Sequence, residues 1–133
     1  MIGFQQFSHY TDEIKFLINH GFNIPRRDMP QIKDHNRGSF LQYLTDNGIS
    51  YENKDILVKD YKISQGEINI PKVLGIVAKG SPENYPIIVS NDGFIADGHH
   101  RFIAKYVIDK SQYISAIIVD LPIVDLLKIA KQF

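Results

Sequence analysis

The chemistry of this chain is most concentrated at Asp97-Gly98-His99-His100-Arg101. Arg101 offers a planar fork of donors that matches phosphate or carboxylate. His100 can donate to a phosphate oxygen or move a proton near neutral pH. Gly98 lets the backbone approach a ligand closely. Asp97 could orient a metal, accept a proton from a hydroxyl, or cap the following helix. Singly, each has a structural explanation: Asp-Gly before a helix is common capping, and neighbouring histidines are often surface residues. Together they mark an anion site if the stretch opens a helix, whose start presents unpaired N–H groups and a partial positive charge. Zinc is poorly served. His99 and His100 are neighbours, so their side chains diverge on a helix, and no i, i+4 histidine pair exists there.

The elements that must position this stretch are legible in outline. Pro86 to Ser90, with Tyr85 before it, reads as a strand, Asn91-Asp92-Gly93 as a hairpin turn, and Phe94-Ile95-Ala96 as the partner strand. A helix runs from about His100 to Ile108, so the motif joins a strand to a helix. Tyr113 to Val119 is β-branched and apolar and reads as a buried strand, and Ile123 to Lys131 as an amphipathic helix. Upstream, Ile56-Leu57-Val58 reads as a short strand. Gly66 to Lys79 reads as a helix with Pro71 in its first turns. Ser8 to His20 and Ser39 to Asn47 read as helices closed by Gly21 and by Asn47-Gly48. Between them, Pro25 and Pro30 prevent a regular element. The pattern predicts a mixed α/β (α+β) domain: a helical extension over residues 1–50 packed on a core over residues 51–133.

Composition narrows the function classes. A length of 133 residues suits one domain. There is no cysteine, so disulfides, thiolate catalysis and cysteine-ligated metals are excluded, and a reducing cytoplasm fits. Fifteen basic side chains balance fifteen acidic ones, which argues against a large basic surface and leaves room for a local basic groove. Uncharged runs such as Gln112 to Val119 are too short to span a bilayer, and Met1 to Tyr10 lacks the pattern of a secretory signal.

The stretch from Pro86 to Ala104, with its Asp-Gly-His-His-Arg motif in a strand–turn–strand–helix setting, resembles the core of the ParB/sulfiredoxin superfamily. Tyr61 to Glu67 and Lys72-Val73 resemble the segment that precedes this motif in the same branch, so the likeness covers roughly residues 56–108. The segment from Arg26 to Ile32 resembles N-terminal extensions of phage-encoded ParB-like proteins, which implies the cytoplasm of a bacterial or phage-infected cell. The resemblance implies nucleotide binding, with the phosphates against the helix start. Sulfiredoxins reduce a sulfinic acid with a cysteine in Gly-Cys-His-Arg. The matching residue here is His99, which excludes that chemistry. Partition-type ParB proteins use a Gly-Glu-Arg-Arg version and a further DNA-binding domain, for which residues beyond 108 leave no room. Free-serine kinases carry Asp-x-His-x-Arg with an upstream acid, the form nearest to Asp97, His99, His100 and Arg101. Other relatives are nucleases or nucleotide hydrolases.

Carried over, Gly98, His99, His100 and Arg101 would hold the phosphates of ATP, ADP or CTP. Asp97 would position Mg²⁺ or an acceptor hydroxyl, and Glu67 would be a base or metal contact. Gln65 would be a polar contact and Lys72 a countercharge. The implied activity is Mg²⁺-dependent phosphoryl transfer or nucleotide hydrolysis, with His100 among the catalytic groups. The alternatives are a nuclease acting on DNA through Asp97 and Glu67, or a non-catalytic nucleotide- or DNA-binding module. The acceptor could be a small hydroxyl compound, a nucleotide or water. Arg26 and Arg27 could reach an anionic substrate or nucleic-acid backbone, or form an exposed loop pair with Asp28. His9, His20 and His35 read as surface, capping or loop residues.

Overall fold

The computed structural model describes residues 4–30, 32, 34–80 and 86–133. These form a mixed α/β fold in which one five-stranded sheet is covered by helices on both faces. The strands are β1 (Tyr51–Leu57), β2 (Lys62–Ile63), β3 (Ile87–Ser90), β4 (Phe94–Asp97) and β5 (Tyr113–Val119), and they lie in the order β1-β5-β3-β4-β2. The helices are α1 (Phe4–Asn19), α2 (Arg37–Asp46), α3 (Ile70–Lys79), α4 (His99–Ile108) and α5 (Ile123–Gln132).

Alternation along the central strands builds both layers, because successive side chains of a strand point to opposite faces. Ile87 and Val89 of β3 and Ile114 and Ala116 of β5 join Val73, Phe102 and Ile103 on one side. Ile88, Ile117 and Val119 join Phe40, Leu44, Ile123 and Leu126 on the other. Each fully buried side chain of this kind contributes about 1.5–3 kcal/mol. The first fifty residues supply both cores: Ile14 and Leu17 of α1 go to the first, and Met29, Ile32, Phe40 and Leu44 to the second.

Around the motif, the hairpin, α4, β5 and α5 lie where the sequence places them; Tyr85 falls outside the described residues. Elsewhere the bounds differ for local reasons. The helix expected from Gly66 begins instead at Ile70. Residues 64–66 are drawn off to pair with Ile24: Ile24 N donates to Ser64 O, and Gly66 N donates to Ile24 O. The Asn69 side chain then caps α3 by accepting from Lys72 N at 3.0 Å. Pro71 sits in the first turn, where its missing N–H costs nothing. The strand expected at Ile56–Val58 extends back to Tyr51 along the sheet edge, and Val58 turns into a short 3₁₀ segment. Between Pro25 and Pro30 there is only the 3₁₀ turn Arg26–Asp28.

Candidate functional site

β4 delivers Asp97 to the end of the sheet beside a register shift between Ile88 and Val89 of β3, an irregularity that re-aims the strand end. Gly98 then turns the chain into α4 with φ 93°. A Cβ there would lie 2.5 Å from Cγ2 of Ile87, so the turn requires glycine on both steric and conformational grounds. The first intrahelical bond runs from Phe102 N to Gly98 O. Helix geometry therefore leaves the N–H groups of His99, His100 and Arg101 without intrahelical acceptors.

The start of α3 meets the start of α4. Asn69 N donates to Nε2 of His100 at 3.3 Å. The start of α4 and, from α3, Lys72 and Ile76 border a common cavity of about 350 Å³. Its described lining carries four basic side chains, Arg26, Arg37, Lys72 and Arg101, against one acid, Asp97. Gly98, His99, His100 and Gln65 complete its polar wall. Pro30, Ile32, Ile76 and Ala96 are its apolar part, and no Phe or Tyr among the described residues lines it.

Each histidine has a distinct role. His99 is buried at 4% exposure. Its Nε2 lies 3.2 Å from Ser64 N and 3.2 Å from Gln65 N. A backbone N–H can only donate, so Nε2 accepts and the ring proton sits on Nδ1. Burial, and next the neighbouring His100, push its pKa down to about 3. His99 thus borders the cavity while its Nε2 pins the Ser64-Gln65 backbone, a task different from the phosphate contact expected of it. His100 is half-buried and its pKa is pushed down to about 4, first by desolvation and then by the charges of Lys72 and Arg26. Its Nε2 accepts from Asn69, so at neutral pH its Nδ1–H is a donor. An anion near Lys72 and Arg26 would offset those charges and raise the pKa again.

Asp97 is held by a residue that sequence reasoning missed. Arg37, the first residue of α2, places Nη2 2.7 Å from Asp97 Oδ2 and donates from Nη1 to Pro86 O. Its side chain is 10% exposed and that of Asp97 21%. The contact joins residues sixty positions apart. Nothing local in the sequence separates Arg37 from a solvated arginine at a helix start.

The remaining expected residues divide. Lys72 and Arg101 line the cavity, and so does Arg26, brought there by the pairing of residues 22–24 with 63–66. Arg27 is exposed and lies outside the lining. Gln65 is buried, and its Nε2 donates to the backbone oxygen of Glu67. Glu67 itself is exposed and outside the lining. The two carboxylates expected to share Mg²⁺ are therefore not gathered here: Asp97 is engaged by Arg37, and Glu67 does not face the cavity. Among the described lining residues Asp97 is the one carboxylate. His9 pairs with Glu13, His20 Nδ1 lies 2.8 Å from Phe16 O, and exposed His35 is outside the lining. No helix among the described residues is long and apolar enough to cross a membrane.

No protein-family model matches the chain, and no curated protein or solved structure matches it either.

Proposed function

We propose that this protein binds the phosphates of a nucleotide in the cavity between the starts of α3 and α4. The observation that carries this reading is the convergence of the α4 N-terminus and four basic side chains on one concave site. Helix starts favour anions through their N–H groups and dipole. Arginine forks match phosphate oxygens in pairs. The resemblance of Asp97 to Arg101 to the ParB/sulfiredoxin motif supports a nucleotide over other anions of similar charge.

The activity proposed at this site is phosphoryl transfer or nucleotide hydrolysis. Such chemistry needs chiefly positioning and charge neutralisation, which a fixed cationic cradle supplies. Asp97 is the one carboxylate of the described lining, so it is the group that would take the proton from an acceptor hydroxyl or water. Arg37 orients it. A second reading, a non-catalytic nucleotide-binding module, draws support from Glu67, whose place outside the lining leaves no paired acid. The same placement counts against a nuclease in which two carboxylates hold a metal on DNA.

A thermal-shift series with ATP, ADP, CTP, GTP, pyrophosphate and short DNA tests the proposal. A ligand present at one hundred times its Kd stabilises the fold by about 2.7 kcal/mol. Stabilisation by a nucleotide is expected, and phosphate release from that nucleotide then separates enzyme from binder. Stabilisation by DNA alone, or by none of these ligands, would refute the proposal.

A further inference from the structure

The sheet ends on one side in a long edge strand. Among the described residues β1 pairs with β5 alone, whereas β2, at the opposite edge, is two residues long. The backbone bonds that flank β1 fix which of its groups face outward. Asp120 N donates to Ser50 O, and Val58 N donates to Gln112 O. Each bond joins residues directly opposite one another in the unbroken register that pairs Tyr51 with Val119. Antiparallel strands alternate between bonded and non-bonded pairs, so Ser50, Glu52, Lys54, Ile56 and Val58 turn their N–H and C=O groups toward β5. Tyr51, Asn53 and Asp55 turn theirs to the outer edge, where no described residue bonds to them. Residues 52–55 are exposed. An edge of seven residues without proline, glycine or a bulge is a template for another strand.

We propose that a second copy of this chain pairs along this edge, β1 to β1, antiparallel and two-fold symmetric about Asn53. Charge selects the register. Outward backbone groups must meet outward groups, which allows the two-fold axis to pass through residue 52, 53 or 54. Centred on residue 52, the pairing sets Glu52 against Glu52; centred on residue 54, it sets Lys54 against Lys54. Like charges directly opposite are destabilising. Centred on Asn53, Glu52 of each copy stands opposite Lys54 of the other. These are the non-bonded pairs, whose Cα atoms approach to about 4.5 Å and bring the side chains closest. Asn53 then faces Asn53 and Tyr51 faces Asp55, each pair exchanging backbone bonds. Neither Glu52 nor Lys54 has a salt bridge to another described residue, so both are available to the second copy. The same charges oppose the neighbouring registers, and the pairing uses up β1 in both copies, so assembly closes at two. Backbone bonds and rim charges hold the contact in place of a large apolar patch, which makes the dimer weak and concentration-dependent.

The test is sedimentation velocity of the full chain from about 5 µM to about 500 µM, a range that brackets weak association. The average mass should rise from that of one chain toward that of two. Glu52→Lys and Lys54→Glu lie at exposed positions, where circular dichroism checks the fold. Each should weaken the dimer by about tenfold or more, because each change turns two symmetry-related pairs from attraction to repulsion. Mixing the two variants should restore association, since every facing pair is then again of opposite charge. Asn53→Pro removes an outward N–H, leaves the bonds to β5 in place and should abolish the dimer. A monomer at every concentration would overturn the proposal, whether or not the edge takes a strand from another protein. A dimer of unchanged affinity in all three variants would place the contact on another face and overturn it equally. Failure of the mixed variants to associate would refute the register centred on Asn53.

Discussion

Acidification from pH 7 to pH 5 should destabilise this protein through one buried residue. In the fold, His99 accepts two backbone N–H groups at Nε2 and has a pKa of about 3. In the unfolded chain it returns to its ordinary value of 6.5. The folded value is the lower one, so the unfolded state takes up the proton first. Stability from this residue is complete above pH 6.5 and is lost as pH falls from there toward 3. Each pH unit within that window removes about 1.4 kcal/mol, so the loss at pH 5 is about 2 kcal/mol. Urea unfolding at pH 7 and pH 5, in the wild type and in His99→Asn, isolates the effect. The variant is less stable at both pH values, because asparagine does not reproduce the buried acceptor geometry. What matters is the change between the two pH values. Carboxylates and His100 titrate in both proteins and largely cancel in the difference. The wild type should lose about 2 kcal/mol more than the variant on acidification. Equal losses in the two proteins would show that His99 is not held neutral, and the pinning of Ser64 and Gln65 by its ring would fall with it.

Three further outcomes are expected. Gly98→Ala forces a Cβ to within 2.5 Å of Ile87 at a left-handed backbone position. It should cost about 2–4 kcal/mol, read as a lower melting temperature; an unchanged midpoint would refute the tight-turn argument. Phe102→Ala empties a fully buried position between α4 and the sheet and should cost about 3–5 kcal/mol in urea unfolding. Arg101→Ala leaves the core untouched and should weaken pyrophosphate binding by about 10- to 100-fold in titration calorimetry, with the circular dichroism spectrum retained.

The sequence by itself determined the elements whose signals are local. Asn91-Asp92-Gly93 specifies a tight turn because Gly93 reaches φ 92° without strain, and the apolar runs on either side can then only return as paired strands. Gly98 followed by a helical pattern marked the strand-to-helix junction, and with it Asp97, His100 and Arg101 as neighbours at one helix start. Each of these follows from backbone sterics or periodicity within about ten residues.

Only the tertiary structure decided what meets at that helix start. β2 is two residues long and exists because Lys62 and Ile63 pair with Phe94 and Ile95, so no run of its own announces it. Its continuation pairs with Ile24, which ends the predicted helix at Gly66 before it begins and carries Arg26 into the cavity. Whether a histidine is a ligand or a buried acceptor depends on which backbone lies beside it, and Ser64 and Gln65 are more than thirty positions from His99. The Arg37–Asp97 pair spans sixty positions, and Glu67 lies outside the described lining although Lys72, five residues on, lies within it. Long-range pairing of charges is set by how helices and strands pack, a property that residue types and local spacing do not encode separately from the fold.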